Sequence, residues 1–234
     1  MKLLILLIGL IIFYFSRNNF SFNSKESVKS PNHFYSLKDG NQNENLISIN
    51  ISPSWLSSLK EKYDWNDFNE YDNILWEYMY KLFDESIEKS GIKDQNELWN
   101  KLNRQQKVFW AFLSFSGDTD NGGVYQFIFN RPQFIFAAKE TWNELGLKKL
   151  EKDYTNVIIE LSGKKRKINE SKSDFLNESK SWNKRWNSFA QGYKELKTPE
   201  IIEAYYYDKE YKRTLYKTVV DYIDSNIDKF ADLQ

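Results

Sequence analysis

Two carboxylates beside a glycine pair, in Gly117-Asp118-Thr119-Asp120-Asn121-Gly122-Gly123, are the residues of this chain whose types and spacing most suggest chemistry. Acids two apart before a glycine invite a calcium loop, where oxygen ligands alternate along the chain and an invariant glycine holds the sixth position. With Asp118 and Asp120 as first and third ligands, the fifth position is Gly122 and the glycine comes early. The spacing does not fit. A phosphate loop would place Gly-Lys-Ser or Gly-Lys-Thr after the turn, and Val124 follows instead. What remains is a polar loop whose candidate binding residues are Asp120, Asn121, Gly122, Gly123, Gln126 and Asn130. The implied local structure is a helix ending at Phe115 and a second capped by Asp120 or Asn121. The glycines supply backbone angles closed to other residues. Gln126 and Asn130, four apart on one helical face, can fasten the loop or meet a ligand.

Composition narrows the other chemistries. The chain has no cysteine, which excludes disulfides, thiolate zinc sites and a cysteine nucleophile. Its one histidine, His33, lies in a polar stretch, so histidine triads and multi-histidine metal sites are excluded as well. No metal and no cofactor are expected, and an Asp/Glu acid–base pair is the catalytic option left open. Lys+Arg and Asp+Glu both number 33. A non-specific nucleic-acid binder carries a basic surplus and an imitator of DNA an acidic one; zero net charge speaks against both. The dense basic run Lys164-Lys165-Arg166-Lys167 is either a solvated loop or a contact for anionic lipid head groups. Aromatics make up 17% of the chain. They fill a helical core, or in the sharper alternative form stacking platforms for bases or sugars.

The elements that must position these residues form three stretches. Residues 1–16 hold the apolar run Leu3–Phe15, preceded by Lys2 and closed by Ser16-Arg17. As a helix, about 16 residues span roughly 24 Å, short of the roughly 30 Å hydrocarbon core. No small-x-small cleavage site follows. A short uncleaved membrane anchor is the first expectation; a cleaved signal, giving a secreted or periplasmic protein, and a buried helix are the alternatives. Residues 17–52 are Ser- and Asn-rich and read as a polar linker, with one possible short strand in Leu46–Ile51.

From residue 53 to 234 the three-to-four period predicts helices throughout. Tyr71, Ile74, Leu75, Tyr78 and Leu82 share a stripe that Gly91 ends. Asp94 to Glu97 is a capping box opening a helix that carries Leu98, Leu102, Phe109, Phe112 and Leu113. Pro132 suits a first turn before Ile135, Ala138, Trp142 and Leu145, with Gly146 as the stop. Helices follow from about Leu147 to Ser162-Gly163, around Trp182, Trp186 and Phe189, and after Thr198-Pro199. Tyr211 to Phe230 forms a long last stripe. The fold class expected is all-α, a compact multi-helix domain behind the apolar segment and flexible linker.

The run from Asn121 to Asn130 resembles the Asn-Gly-Gly-x-x-Gln-Phe-x-x-Asn signature of the bacterial domain of unknown function 4375, a DNA-mimic-protein-like family. Phe109-Trp110-Ala111-Phe112-Leu113 before it and Trp142-Asn143-Glu144-Leu145-Gly146 after it are similar too. The resemblance spans about Asn66 to Phe230 and is most specific from Val108 to Leu147. It implies a helical domain, and a member that imitates DNA through a distributed acidic surface rather than through this motif. No catalytic residue carries over. The function expected is therefore a membrane-tethered helical module that binds another protein without catalysis. The alternative is a hydrolase-type enzyme with an Asp/Glu pair in an aromatic-lined cleft.

Overall fold

The computed structural model describes residues 34–67, 70–92, 94–163 and 182–234. Within them the chain is all-α apart from one pair of three-residue strands. The apolar run Leu3–Phe15, His33 and the basic run from Lys164 lie outside the described residues, as do the side chains of Trp182, Trp186 and Phe189. Among the described residues, no helix is long and apolar enough to cross a membrane.

The chain groups into two units, one of Ala111–Glu203 with residues 34–36, the other of Leu37–Trp110 with Ala204–Gln234. In the second unit, strand β1 (Ile49–Ile51) leads into helix α1 (Pro53–Lys62). Ser52 caps α1, its Oγ accepting from Trp55 N at 3.2 Å, and Pro53 fills the first turn, where no amide donor is needed. Helix α2 (Tyr71–Met79) passes through a π-helical turn (Tyr80–Asp84) into α3 (Glu85–Ser90). The predicted stripe from Tyr71 to Leu82 is buried as one face, and Gly91, left-handed at φ 65°, ends it.

Helix α4 (Gln95–Lys101) opens on the predicted cap, Asp94 Oδ1 accepting from Glu97 N at 2.7 Å. It does not continue through Phe112, as the periodicity predicted. The chain breaks at Leu102-Asn103 and restarts as α5 (Arg104–Gly122). The cause is a second capping box: Asn103 Oδ1 accepts from Gln106 N at 3.0 Å, while Gln106 Oε1 accepts from Asn103 N at 3.1 Å.

The same residues fasten the end of the expected linker. Asn103 Nδ2 donates to Asn45 Oδ1 and to the Lys229 carbonyl, and Gln106 Nε2 donates to the Ile47 carbonyl. Lys107, fully buried, donates to the carbonyls of Asp39 and Asn41. Buried donors must find acceptors or cost several kcal/mol, so the segment from residue 37 onward is held in place rather than acting as a spacer. Helix α11 (Lys209–Ser225), capped by Asp208, packs on α2. The last predicted stripe does not remain one helix: after a 3₁₀ turn (Ile227–Lys229), Phe230 lies buried beside Phe109 and Phe83, and strand β2 (Ala231–Leu233) pairs parallel with β1.

The first unit holds the rest of α5, α6 (Val124–Asn130), a 3₁₀ turn (Pro132–Phe134), α7 (Ile135–Glu144), α8 (Lys148–Gly163), α9 (Trp182–Glu195) and most of α10 (Thr198–Tyr206). Its core centres on Phe115, whose ring lies 4.8 Å from Trp142, 5.2 Å from Phe127 and 5.9 Å from Tyr154, all edge-to-face. Edge-to-face contact is the favoured aromatic arrangement. These four rings, all fully buried, thus fill the core, as the helical periodicity implied, whereas Phe136 and Tyr193 of the same unit are exposed. Tyr35 joins it, donating its amide to the Gln133 carbonyl and setting its ring against Phe134.

Candidate functional site

Helix α5 carries the first part of the glycine motif, and it does not stop at Phe115. It runs to Gly122, with Asn121 donating its side-chain amide back to the Gly117 carbonyl at 2.9 Å. Asp120 and Asn121 are exposed on this last turn, and neither caps α6 as the sequence suggested. The break falls one residue later, at Gly123, whose φ of 85° and ψ of 172° are open essentially to glycine alone.

The orphan amide at the start of α6 is satisfied from elsewhere. Glu203, on α10, accepts from Val124 N at 2.8 Å through Oε1, and its Oε2 accepts from the Tyr193 hydroxyl at 3.2 Å. This approach needs Gly123 for a second reason. A Cβ there would sit 3.0 Å from Glu203 Cδ and nearer still to Oε1. Gly122 differs: a Cβ on it would collide with the movable amide end of the Gln126 side chain.

The other end of α6 is fastened by Asp118. Its Oδ1 accepts from Asn130 Nδ2 at 2.8 Å and its Oδ2 from Arg131 Nε at 2.7 Å, with the Asp118 side chain only 12% exposed. Of the six candidate residues, Gly123 and Asn130 therefore enter the clasp, Gln126 lies over Gly122, and Asp120 and Asn121 face outward. The partners that sequence reasoning missed are Arg131, Tyr193 and Glu203. Arg131 was legible as a cation one residue past Asn130. Glu203 and Tyr193 look in the sequence like ordinary helical surface residues.

Burial raises the Glu203 carboxyl, opposed by the Val124 amide and the Tyr193 hydroxyl; the Tyr193 phenol is raised too, by burial and by the Glu203 charge. Both Glu203 oxygens are engaged, so the arrangement fastens α6 between α5 and α10. In the second unit, Asp84, at the end of the π turn, is pushed up to about 6 by burial and by Glu88 one turn on. Lys107 is lowered to about 8 by burial. Among the described residues, no group of three His, Asp or Glu side chains is arranged to hold a metal ion.

Charge is divided unevenly between the two units. The second unit has 19 Asp and Glu against 14 Lys and Arg, a formal charge of −5, while the rest of the chain has the converse, 14 against 19. The neutrality that spoke against an acidic surface is a property of the whole chain and not of this unit.

Neither a curated protein nor a solved structure matches the chain. A family model described as DMP19-like protein matches residues 100–226, more than half of the 234 residues. The match covers the clasp at both ends, from Asp118 through Glu203, and supports the DNA-mimic-like resemblance without the label of domain of unknown function 4375. By this match, the chain belongs to the DMP19-like protein family.

Proposed function

We propose that this chain is a non-catalytic helical module that binds a basic, nucleic-acid-binding protein through its acidic second unit, held at a membrane by Leu3–Phe15. One observation carries this: a formal charge of −5 gathered on residues 37–110 and 204–234 of a chain that is neutral overall. A surface of one sign attracts partners of the other and speeds their encounter. Family membership supports the same reading, because the family resemblance implies a protein that imitates DNA. The glycine motif contributes by holding α6 rather than by touching the partner.

The test uses the full chain and a basic DNA-binding protein retained on it at low ionic strength. Duplex DNA added in excess releases the retained protein, and its affinity falls steeply as salt rises. Retention that neither DNA nor salt weakens refutes the acidic surface. Recovery of the chain only in a soluble fraction refutes the membrane tether.

One observation favours the Asp/Glu enzyme as a second reading: Asp84, raised to about 6, has Glu88 one turn away. Turnover of a glycoside or phosphoester panel lost in Asp84→Asn would support it.

A further inference from the structure

Where α1 ends and α2 has yet to begin, the chain turns over a shallow depression of about 460 Å³ lined by Lys60, Glu61, Tyr63, Asp64, Trp65 and Asn66. The turn is pinned from several sides. Tyr63 leaves the helix in extended geometry, and its amide still bonds the Leu59 carbonyl. Asp64 Oδ1 accepts from Asn66 N at 2.8 Å, and the Tyr71 hydroxyl donates to the Trp65 carbonyl. Trp65 sets its ring edge-to-face against Tyr78, with centroids 6.4 Å apart. The indole is thus held in position, half-buried, at the margin of the depression.

Two ammonium groups already lie on the rings here. Lys60 Nζ sits 5.2 Å from the Trp65 ring centre and 3.1 Å from an Asp224 carboxylate oxygen. Lys62 Nζ sits 4.8 Å from the Tyr63 ring centre and pairs with Glu77. Each cation therefore has both an aromatic ring and a carboxylate beside it. Both lysines remain well exposed, with side-chain exposures of 50% and 59%. Exposed pairs of this kind are weak, so the Lys60 ammonium is a replaceable occupant. A guanidinium is better suited to the place: it is planar, more weakly hydrated, stacks on an indole and forks onto a carboxylate. Glu61, Asp64, Asp67 and Glu70 follow within the same stretch, making it attractive to a cationic chain.

We propose that Trp65, with Asp64 and Asp224, is the recognition point for an arginine side chain on a basic protein segment, and that Lys60 is the internal stand-in which that arginine displaces. The inference rests on the reading of the second unit as an acidic, protein-binding surface, and it names one anchor within it.

The experiment measures binding of labelled hexa-arginine and hexa-lysine peptides to the full chain at low ionic strength. Lys60→Ala removes the internal competitor, and hexa-arginine binds more tightly, by about two- to fivefold, the equivalent of one exposed cation–π contact. Lys89→Ala, which deletes a 70% exposed lysine of the same unit, controls for the change in net charge and gives a smaller gain. Trp65→Leu leaves the charge unchanged and weakens hexa-arginine by a similar factor, with an unaltered helical spectrum as the check on folding. Hexa-lysine binds less tightly than hexa-arginine and responds less to Trp65→Leu. Equal gains from Lys60→Ala and Lys89→Ala overturn the proposal while leaving the acidic surface in place, as does equal binding of the two peptides. If hexa-arginine fails to bind the chain at all, the acidic-surface reading falls with it.

Discussion

Replacing Gly123 by alanine tests the clasp directly. The φ of 85° and ψ of 172° at this position cost a non-glycine residue about 1–3 kcal/mol in backbone strain. The added Cβ would also lie 3.0 Å from Glu203 Cδ, so the carboxylate must withdraw and give up its bond to Val124 N. A hydrogen bond to a charged group contributes about 1.5–3 kcal/mol, and the two losses together predict a destabilisation of about 2.5–6 kcal/mol. Gly122→Ala is the internal control. Gly122 lies inside α5 without a positive φ, and the colliding group is the far end of the Gln126 side chain, which can swing away. That variant is expected within about 1 kcal/mol of the parent, on either side. The assay is urea unfolding followed by circular dichroism, with both variants and Glu203→Ala measured singly and with Gly123→Ala. In the double variant the cost of Gly123→Ala shrinks toward its strain component, because no carboxylate is left to displace. Equal losses from the two glycines, or an unchanged midpoint for Gly123→Ala, would show that the Glu203 cap is not what the glycine serves.

Asp118→Ala leaves Asn130 and Arg131 without their shared acceptor and is expected to cost about 1–3 kcal/mol, read by the same unfolding curve; a loss under about half a kcal/mol would refute the clasp at that end. Asp84→Asn tests the raised carboxyl. A folded pKa of about 6, above the ordinary 3.8, means that stability from this group is full below pH 4 and is lost as pH rises through 6. The variant should therefore be more stable than the parent at neutral pH, by up to about 3 kcal/mol and less where solvent screens the charge, with the difference closing at acid pH; a constant difference across pH would refute the assignment. Of two shortened chains, one beginning at Phe34 and one beginning at Pro53, the second should melt lower. The second loses buried Tyr35, Leu37, Ile47 and Ile51 and uncovers the acceptorless Lys107. Equal melting temperatures would show that residues 34–52 contribute nothing to the fold.

Local signals in the sequence were enough for most of the helices. The Tyr71–Leu82 stripe, the Asp94 cap and the Gly91 stop were legible because each depends on residues within one or two turns. The all-α class follows from the same periodicity. Even a missed local feature, the Asn103-to-Gln106 capping box, was written in adjacent residues, although an unbroken apolar period ran across it. The site was legible only as a motif. The glycine pair and Asn130 stood out, but their purpose depends on Glu203, which reaches Val124 across 79 residues of sequence and leaves no periodic trace. The pairing of β1 with β2 and the fastening of the expected linker by Lys107 are decided in the same way, by acceptors and strands distant in the chain. Charge shows the difference most plainly. Composition alone determines a sum, which here is zero, whereas folding determines which acids share a unit, and that placed a formal −5 on one of the two.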